Sequence, residues 1–281
     1  MKKKILKASA AVIAIILLAF LGFFANAFLG NPVSKHLATQ TAEKHIEEKY
    51  ADTDFEIEKV SYDFKDSCYH AFIKSPSSID SHFSLAINMS GKLIYDSYED
   101  RVTSKWNTSD RISTAYREKV DEVLNSPAFP YNASIGFGDI EFDSPEIAND
   151  PSIPDYAINT DELVTDADYD LNEFGAKAGR LTIYVEDENV SHEQLTQITL
   201  DIRRIFDEAD VKFRAVNLVL EYPKSEDGTR VDKRVEVMDF PYSDIYEEDM
   251  LERVKASDEA ANAYYAEQDA IKFSEEETAV N

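Results

Sequence analysis

The single cysteine of the chain, Cys68, lies two residues from His70 in a segment whose composition predicts a β-strand. Side chains two apart on a strand project from the same face, and a thiolate beside an imidazole is the outline of a cysteine nucleophile. The two groups would stand side by side, however, and no third residue that could orient the imidazole is identifiable. A lone cysteine also packs well as a small hydrophobic side chain. We therefore interpret Cys68 as structural and predict no catalytic residue.

Metal ligation is the second chemistry that the residue types could support. The five histidines include no H-x-x-x-H or H-x-x-E-H pair, so the sequence predicts no transition-metal site. Asp166, Asp168 and Asp170 place carboxylates at every second position, as the start of a calcium loop does. Leu171 stands where that loop needs glycine, and Lys177 where it needs a bidentate glutamate. The three aspartates are calcium candidates, and a solvated acidic loop is the alternative.

Phosphate-binding and hydrolase motifs are missing from the sequence. Gly136 and Gly138 begin a G-x-G pattern, but Glu141 occupies the position of the third glycine in a dinucleotide loop. Neither a Walker A sequence nor a G-x-S-x-G elbow occurs. We therefore predict no cofactor and a non-enzymatic protein. The alternative is a secreted or anchored hydrolase with an unrecognised acidic site in residues 139–170.

The charge of the chain is strongly negative. It carries 55 acidic residues against 29 basic ones, for a formal net charge of −26. Such a surface repels nucleic acid and anionic lipid headgroups. Nucleic acid is therefore excluded as a partner. We interpret the charge chiefly as a source of solubility; it would also suit cationic partners or the cation-rich layer of a cell envelope.

An uncharged apolar segment occupies residues 8–29 and follows four lysines, Lys2, Lys3, Lys4 and Lys7. As a helix it would span about 33 Å, close to the thickness of a hydrocarbon core. The lysines predict a cytoplasmic N-terminus and an extracellular remainder. The alternative is a secreted protein, since Ala25-Asn26-Ala27 has the small-x-small form of a signal-peptidase site and permits cleavage near Ala27. Residues 1–31 are thus a membrane anchor or a signal segment.

The first predicted domain spans residues 32–126 and has the order helix, strands, helix. Apolar residues repeat at helical spacing after Ser34, which is a suitable N-cap. Strand-like segments follow at residues 55–64, 68–73, 83–89 and 93–95. A second helix over residues 109–124 closes the domain. This order predicts an antiparallel sheet with helices on one face.

The second predicted domain spans residues 127–245, and its first part lacks clear periodicity. Residues 181–240 predict a β-α-β-β unit whose helix begins at a capping box, Ser191-His-Glu-Gln194. The acidic residues 246–281 predict a helical or disordered tail. The fold class is therefore α+β: an N-terminal transmembrane helix followed by two small domains, each an antiparallel sheet with helices on one face.

Several segments of the first domain resemble the uncharacterised YfjL-like family of Gram-positive bacterial membrane-anchored proteins. The resemblance rests on residues 50–55, Val60-Ser-Tyr-Asp-Phe-Lys65, residues 69–72, Ser75-Pro-Ser77, Asp80 with Phe83, and Tyr95-Asp-Ser-Tyr-Glu99. It implies one N-terminal membrane helix and an exterior of two small domains. The topology of the first domain is also similar to PepSY-type modules. Neither resemblance implies catalytic residues.

These observations predict an uncharacterised, single-pass, extracytoplasmic protein of the cell envelope that binds or regulates. The predicted partners are the membrane, through the N-terminal helix, and a protein, peptide or wall component that the residues do not name.

Overall fold

The computed structural model describes residues 2–143, 154–225 and 231–279. Contacts between residues divide the chain into two compact units. Unit 1 comprises residues 1–108 and 163–167, and unit 2 comprises residues 109–162 and 168–281. The predicted α+β class is confirmed, because an apolar N-terminal helix precedes two four-stranded sheets that pack with helices.

Unit 1 is built from two helices and one sheet. The helices are α1 (Lys2–Leu29) and α2 (Pro32–Lys49). The strands are β1 (Glu56–Asp63), β2 (Cys68–Ser75), β3 (Ser78–Asn88) and β4 (Leu93–Asp96). They form an antiparallel meander in the order β1-β2-β3-β4, since short turns join neighbouring strands. The predicted strand segments match these bounds closely.

Helix α2 begins earlier than predicted, because Asn31 rather than the expected Ser34 is its N-cap. The side chain of Asn31 accepts the N–H of Ser34 at 2.8 Å, and Pro32 occupies the first turn, where its missing N–H costs nothing. Ala38 and Ala42 are fully buried. Their small side chains let the helix pack closely on the sheet, so the core of unit 1 fills with the larger side chains of β2 and β3.

The described part of unit 2 contains four helices and six strands. The strands are β5 (Ala133–Ile140), β6 (Phe142–Asp143), β7 (Ile158–Asn159), β8 (Gly179–Glu186), β9 (Ala215–Glu221) and β10 (Arg234–Pro241). The helices are α3 (Trp106–Leu124), which starts in unit 1, then α4 (Leu171–Ala178), α5 (His192–Glu208) and α6 (Met250–Ala279). Single turns of other helix types are found at Glu99–Thr103, Thr160–Glu162 and Tyr242–Asp244.

The larger sheet of unit 2 has the order β10-β9-β8-β5. Strands β8 and β9 are parallel, whereas the two outer pairs are antiparallel. The parallel pair departs from the predicted antiparallel pattern, because α5 carries the chain across the sheet as a crossover between β8 and β9. Ser191 caps α5 by accepting the N–H of Gln194 at 3.2 Å, as its capping box predicts.

Helix α3 lies in the other unit from the one that the sequence predicts. Residues 109–124 were expected to close the first domain, but from Ser109 onward the chain belongs to unit 2. The reason is the fit of α3 against β5. A Cβ on Gly138 would lie 2.5 Å from Val120 and 3.0 Å from Tyr116. The division between the units therefore falls at residue 108 rather than at residue 126.

Helix α6 covers the free edge of the larger sheet. The carboxylate of Asp258 accepts the N–H of Glu236 at 2.9 Å, and the hydroxyl of Ser257 accepts the N–H of Met238 at 3.4 Å. An uncovered edge strand presents unpaired N–H groups that invite association. The tail beyond residue 246 is therefore a helix whose first turns complete unit 2, with Val254 fully buried.

Candidate functional site

The junction between α1 and α2 is held by a glycine in a left-handed conformation. Gly30 has a φ of +67°, and a Cβ there would collide with the hydroxyl of Tyr69 and lie 2.8 Å from the ring of Tyr62. Only glycine adopts this backbone without strain. The aromatic rings therefore pack directly against the chain at the end of the apolar helix.

Two tyrosines on adjacent strands fasten this junction to the sheet. Tyr62 on β1 and Tyr69 on β2 are cross-strand partners with ring centroids 5.1 Å apart. The hydroxyl of Tyr69 donates to the carbonyl of Asn31 at 2.8 Å and accepts the N–H of the same residue at 2.6 Å. The hydroxyl of Tyr62 donates to the carbonyl of Ala27 at 2.9 Å. The hydroxyls of these two tyrosines thus fix the end of α1 and the start of α2 to β1 and β2.

An exposed apolar patch surrounds this junction. Phe64, at the start of the turn after β1, has its ring 5.8 Å from that of Phe28 on α1. Phe28 and Phe64 are more than half exposed, and Leu29 and Val33 are exposed by 78% and 71%. Large apolar side chains that cluster on a surface mark an interaction site more often than scattered ones do.

The turn between β1 and β2 brings together three residues that could hold a metal ion. The ligand atoms of Asp63, Asp66 and His70 lie within 4.8 Å of one another. Asp66 accepts the N–H of Cys68 at 2.9 Å and pairs with His70 Nε2 at 2.7 Å, and Asp63 accepts the N–H of Lys65 at 2.9 Å. These bonds already give the carboxylates a structural role in shaping the turn. The sequence signal was an Asp-x-x-Asp…His spacing across a hairpin.

Cys68 lies on β2 beside His70, as predicted, but the imidazole does not turn to the thiol. His70 pairs with Asp66 instead. Burial raises the pKa of the Cys68 thiol, and the nearby carboxylate of Asp66 raises it further. A thiol with a raised pKa forms little thiolate at neutral pH, and the thiolate is the nucleophile. The interpretation of Cys68 as a structural residue stays a prediction.

Of the three calcium candidates, Asp166 and Asp170 accept hydrogen bonds within their own units. Asp166 belongs to unit 1, whereas Asp168 and Asp170 belong to unit 2. Asp170 caps α4 by accepting the N–H groups of Asn172 and Glu173 at 2.8 and 3.4 Å. The calcium hypothesis stays a prediction, and two of its carboxylates have hydrogen-bonding roles of their own.

Asp166 is held inside unit 1 by a reciprocal pair of hydrogen bonds. Its carboxylate accepts the N–H of Asp80 at 2.9 Å, and Asp80 accepts the N–H of Asp166 at 2.8 Å. The hydroxyl of Ser78 donates to Asp166 at 3.0 Å. The short segment 163–167 is thereby fixed to the start of β3.

The acidic stretch proposed for the alternative hydrolase also uses its carboxylates in ion pairs. Asp139 pairs with Arg117 at 2.5 Å, and Glu141 pairs with Arg180 at 2.6 Å. Burial raises the pKa of Glu141, and the guanidinium of Arg180 partly offsets that effect. Residues 144–153 of this stretch lie outside the described part of the chain.

Unit 2 contains a buried acidic cluster under α6 that the sequence did not reveal. Glu236 is 2% exposed, and its Oε1 has no hydrogen-bond partner within the described chain. Arg234 lies 3.6 Å from that oxygen, and Asp258 holds His192 at 2.9 Å. Burial raises the pKa of Glu236, Arg234 lowers it, and Asp258 raises it further.

The fold and the junction define a class of protein: an α+β chain with one apolar N-terminal helix docked on the first of two compact units. Two family models match this chain. The "YfjL-like, N-terminal domain" matches residues 2–97, and the "YfjL-like C-terminal domain" matches residues 115–255. The chain therefore belongs to the YfjL-like family, as the residues of β1 to β4 predicted. The two matches meet near the observed division of the units.

Other comparisons add little to this assignment. No curated protein matches the chain. A solved structure, "Crystal structure of a DUF5037 family protein from Ruminococcus gnavus ATCC 29149 at 2.55 A resolution", is 14% identical and has a TM-score of 0.21. The match covers 78% of this chain and 98% of that one. A score that low supports no conclusion about fold or function.

Proposed function

We propose that this protein is a single-pass membrane protein whose outer region is a non-enzymatic binding or regulatory module of the cell envelope. Its N-terminus is cytoplasmic and its two compact units are extracytoplasmic. The proposed partners are the membrane, through α1, and a protein, peptide or wall component bound by the outer region.

The observation that carries the proposal is the exposure of α1. The helix is long and apolar enough to cross a membrane, and none of its most hydrophobic window is buried in the structure. Side chains such as Ile15, Leu21 and Phe23 are more than 60% exposed. Leaving this surface in water is unfavourable by about 25 cal/mol per Å². A bilayer removes that cost, and the apolar length suits a hydrocarbon core.

The single cysteine offers a direct test of orientation. Cys68 is partly exposed on the outer unit, so a membrane-impermeant maleimide should label it in intact cells. Because the pKa of this thiol is raised, labelling should accelerate as the pH of the medium rises. The control is Lys4→Cys in a Cys68→Ser background, which should react only after the membrane is permeabilised. Labelling of the Lys4→Cys protein in intact cells would contradict the orientation.

Retention of α1 is tested separately by the intact mass of the protein from membranes. We expect a chain that still contains α1 and resists extraction at alkaline pH. A chain that starts at Phe28 and appears in the medium would replace the anchor with a secreted protein. Both outcomes are read on the native sequence and need no substitution.

A binding role rather than catalysis is supported by the environments of the cysteine and of the carboxylates that were candidates for chemistry. The cysteine has a raised pKa, and the carboxylates of Asp139, Glu141 and Asp166 are engaged in ion pairs or backbone hydrogen bonds. The test is crosslinking of intact cells followed by purification of the full chain. A defined partner, lost when unit 2 is deleted and α1 and unit 1 are kept, supports the proposal. Hydrolysis of peptides or glycans by the purified chain would overturn it.

A further inference from the structure

We propose that the turn between β1 and β2, residues 64–67, lies on the outer surface of the bilayer with Phe64 at the boundary of headgroups and acyl chains. This inference rests on the proposed membrane anchor and extends it to a second lipid contact made by unit 1. The partner is the lipid itself, and the contact fixes how unit 1 stands on the membrane.

The depth of Phe64 follows from its distance to α1. The apolar segment ends at Leu29, so Phe28 lies in the last turn of the helix, at the outer end of its apolar length. The ring of Phe64 is 5.8 Å from that of Phe28. Two rings this close take nearly the same depth in a bilayer. Aromatic side chains are favoured at this level, where membrane proteins carry aromatic belts.

The hydrogen bonds of the junction prevent the turn from swinging away from the helix end. Tyr62 precedes Phe64 by two residues and donates to the carbonyl of Ala27 on α1. Tyr69 follows the turn and is bonded to both the N–H and the carbonyl of Asn31. The strands on both sides of the turn are therefore fastened to the chain that leaves the membrane.

The surface offered to lipid is apolar and continuous with α1. Leu29 and Val33 are exposed by 78% and 71%, and Phe64 by 53%. Near the turn, Asp63 and Asp66 bond to N–H groups of the turn itself. The contact is thus driven by burial of apolar side chains, and it should form on zwitterionic lipid without anionic headgroups.

Fluorescence quenching in nanodiscs tests this placement on the full chain. Trp106, the single tryptophan, is first replaced by phenylalanine, and all reporters are placed in this Trp106→Phe background. Reporters are then introduced one at a time as Phe28→Trp, Phe64→Trp and Ile79→Trp. Ile79 is the matched control, because it is 68% exposed but lies at the start of β3. There β3 pairs with the end of β2 that is about 25 Å along the strand from the turn at residues 64–67. The discs contain phosphatidylcholine brominated near the headgroup end of its acyl chains.

We expect the Phe28→Trp and Phe64→Trp proteins to lose fluorescence to a similar extent, while the Ile79→Trp protein keeps its emission. Quenching of Phe28→Trp without quenching of Phe64→Trp would overturn the lipid contact and leave the proposed anchor intact. Loss of quenching at both positions would overturn the anchor itself and, with it, this inference. Equal quenching at Ile79→Trp would also contradict the proposed orientation of unit 1.

A second measurement leaves Phe64 unchanged and guards against a variant that misfolds. A spin label is attached to Lys65→Cys in a Cys68→Ser background. In nanodiscs, this label should be relaxed more by oxygen, which partitions into lipid, than by a water-soluble nickel chelate. A label more accessible to the nickel chelate than to oxygen would show that the turn stands in water and would refute the contact.

Discussion

Asp80 and Asp166, 86 residues apart in the chain, each accept the backbone N–H of the other. The pair fixes residues 163–167 to the start of β3, although the chain on both sides of that segment belongs to unit 2. Asp166 has a φ of +62°, a left-handed conformation that aspartate and asparagine tolerate better than most residues. Backbone geometry and side-chain bonding therefore favour the same residue types at this position.

The first prediction separates those two contributions at Asp166. Asp166→Asn keeps an acceptor and the backbone preference, so it should change little. Asp166→Gly keeps the backbone but removes the acceptor from a buried N–H, which should cost about 1–3 kcal/mol. Asp166→Ala loses the acceptor and adds backbone strain of about 1–2 kcal/mol. Hydrogen exchange of peptides over residues 78–82 and 163–167 measures the local opening. Equal exchange in the Asn and Ala variants would contradict this role.

The second prediction concerns the glycine at the helix junction. Gly30→Ala forces a Cβ into the rings of Tyr62 and Tyr69 and imposes an unfavourable φ, so the end of α1 should separate from β1 and β2. We expect a cost of about 1–3 kcal/mol from strain alone. Hydrogen exchange of residues 28–34 in the full chain measures it.

Gly22→Ala is the matched control for Gly30→Ala. Gly22 lies within α1, and a Cβ there would meet nothing within 4 Å. Alanine also favours a helix interior by about 1 kcal/mol over glycine. The control should leave exchange at the junction unchanged. A similar effect from both substitutions would mean that the rings do not hold the junction.

The elements of unit 1 could be predicted from the sequence because its contacts are local. Each strand from β1 to β4 pairs with the next across a short turn, so alternation within 83–89 and the turn at Gly91 carry most of the information. Helix α5 is equally readable, since its capping box and apolar stripe lie within its own residues. The family assignment, which was drawn from segments of unit 1, is confirmed.

The first part of unit 2 could not be predicted in this way, because distant residues decide it. Strand β5 is stabilised by the packing of α3 against Gly136 and Gly138. These two glycines weaken the pattern of strand-forming residues in the sequence of β5. Strands β6 and β7 are two residues each and pair only with each other. The membership of α3 in unit 2 likewise depends on a sheet that forms later in the chain.

The contacts at the junction of α1 and α2 could not be predicted from the sequence either, and the same holds for the ion pair of His192 with Asp258. Tyr62 and Tyr69 face each other across two strands, but only the structure shows that their hydroxyls reach Ala27 and Asn31. The pairing of His192 with Asp258 spans 66 residues. Spacing rules detect ligands on one helix or strand, and these contacts join separate elements.

The third prediction concerns Asp96, which ties α2 to β4. Its Oδ2 accepts hydrogen bonds from His45, Lys49 and Tyr50 at 2.8–2.9 Å. Burial acts to raise the pKa of Asp96, but these donors outweigh it and leave the pKa below its usual value of 3.8. Asp96→Asn should therefore destabilise unit 1 at neutral pH by about 1.5–3 kcal/mol, the usual value of hydrogen bonds to a charged group.

The pH dependence of this effect has a definite sign. A carboxyl whose pKa is lowered by folding stabilises the folded state above pH 3.8, and that contribution is lost as the pH falls through the lower, folded-state pKa. The difference in unfolding free energy between wild type and Asp96→Asn should therefore shrink below pH 3.8. A difference that stays constant from neutral pH to acid would show that charge is not involved.

The fourth prediction concerns calcium. Asp166 and Asp170 already accept backbone N–H groups. We therefore expect millimolar calcium to leave the melting temperature of the full chain unchanged, with magnesium as the control for ionic strength. A ligand that binds only the folded state raises this temperature, and the stabilisation grows with the logarithm of the ligand concentration once that exceeds the Kd. A calcium-specific rise that Asp168→Asn abolishes would establish a site there.

The fifth prediction follows from the buried carboxyl of Glu236. Burial raises its pKa above the usual value of 4.5, so the folded state binds the proton more tightly than the unfolded state does. The folded protein therefore loses stability as the pH rises from 4.5 through the higher, folded-state pKa. Glu236→Gln should remove this penalty, because a neutral amide of the same shape needs no ionisation.

The expected result is a higher melting temperature for Glu236→Gln than for wild type at neutral pH, with the two curves converging below pH 4.5. Any loss of negative charge relieves repulsion in a chain of net charge −26, so a control must remove the same charge elsewhere. Glu252→Gln serves, since Glu252 lies on α6 with a side chain 73% exposed. Only the excess of the first variant over the control reports on the buried site. If the Glu236→Gln protein melts lower than wild type at neutral pH, the ionised carboxylate is stabilised by its pairing with Arg234, and the cluster under α6 is an ion pair at that pH.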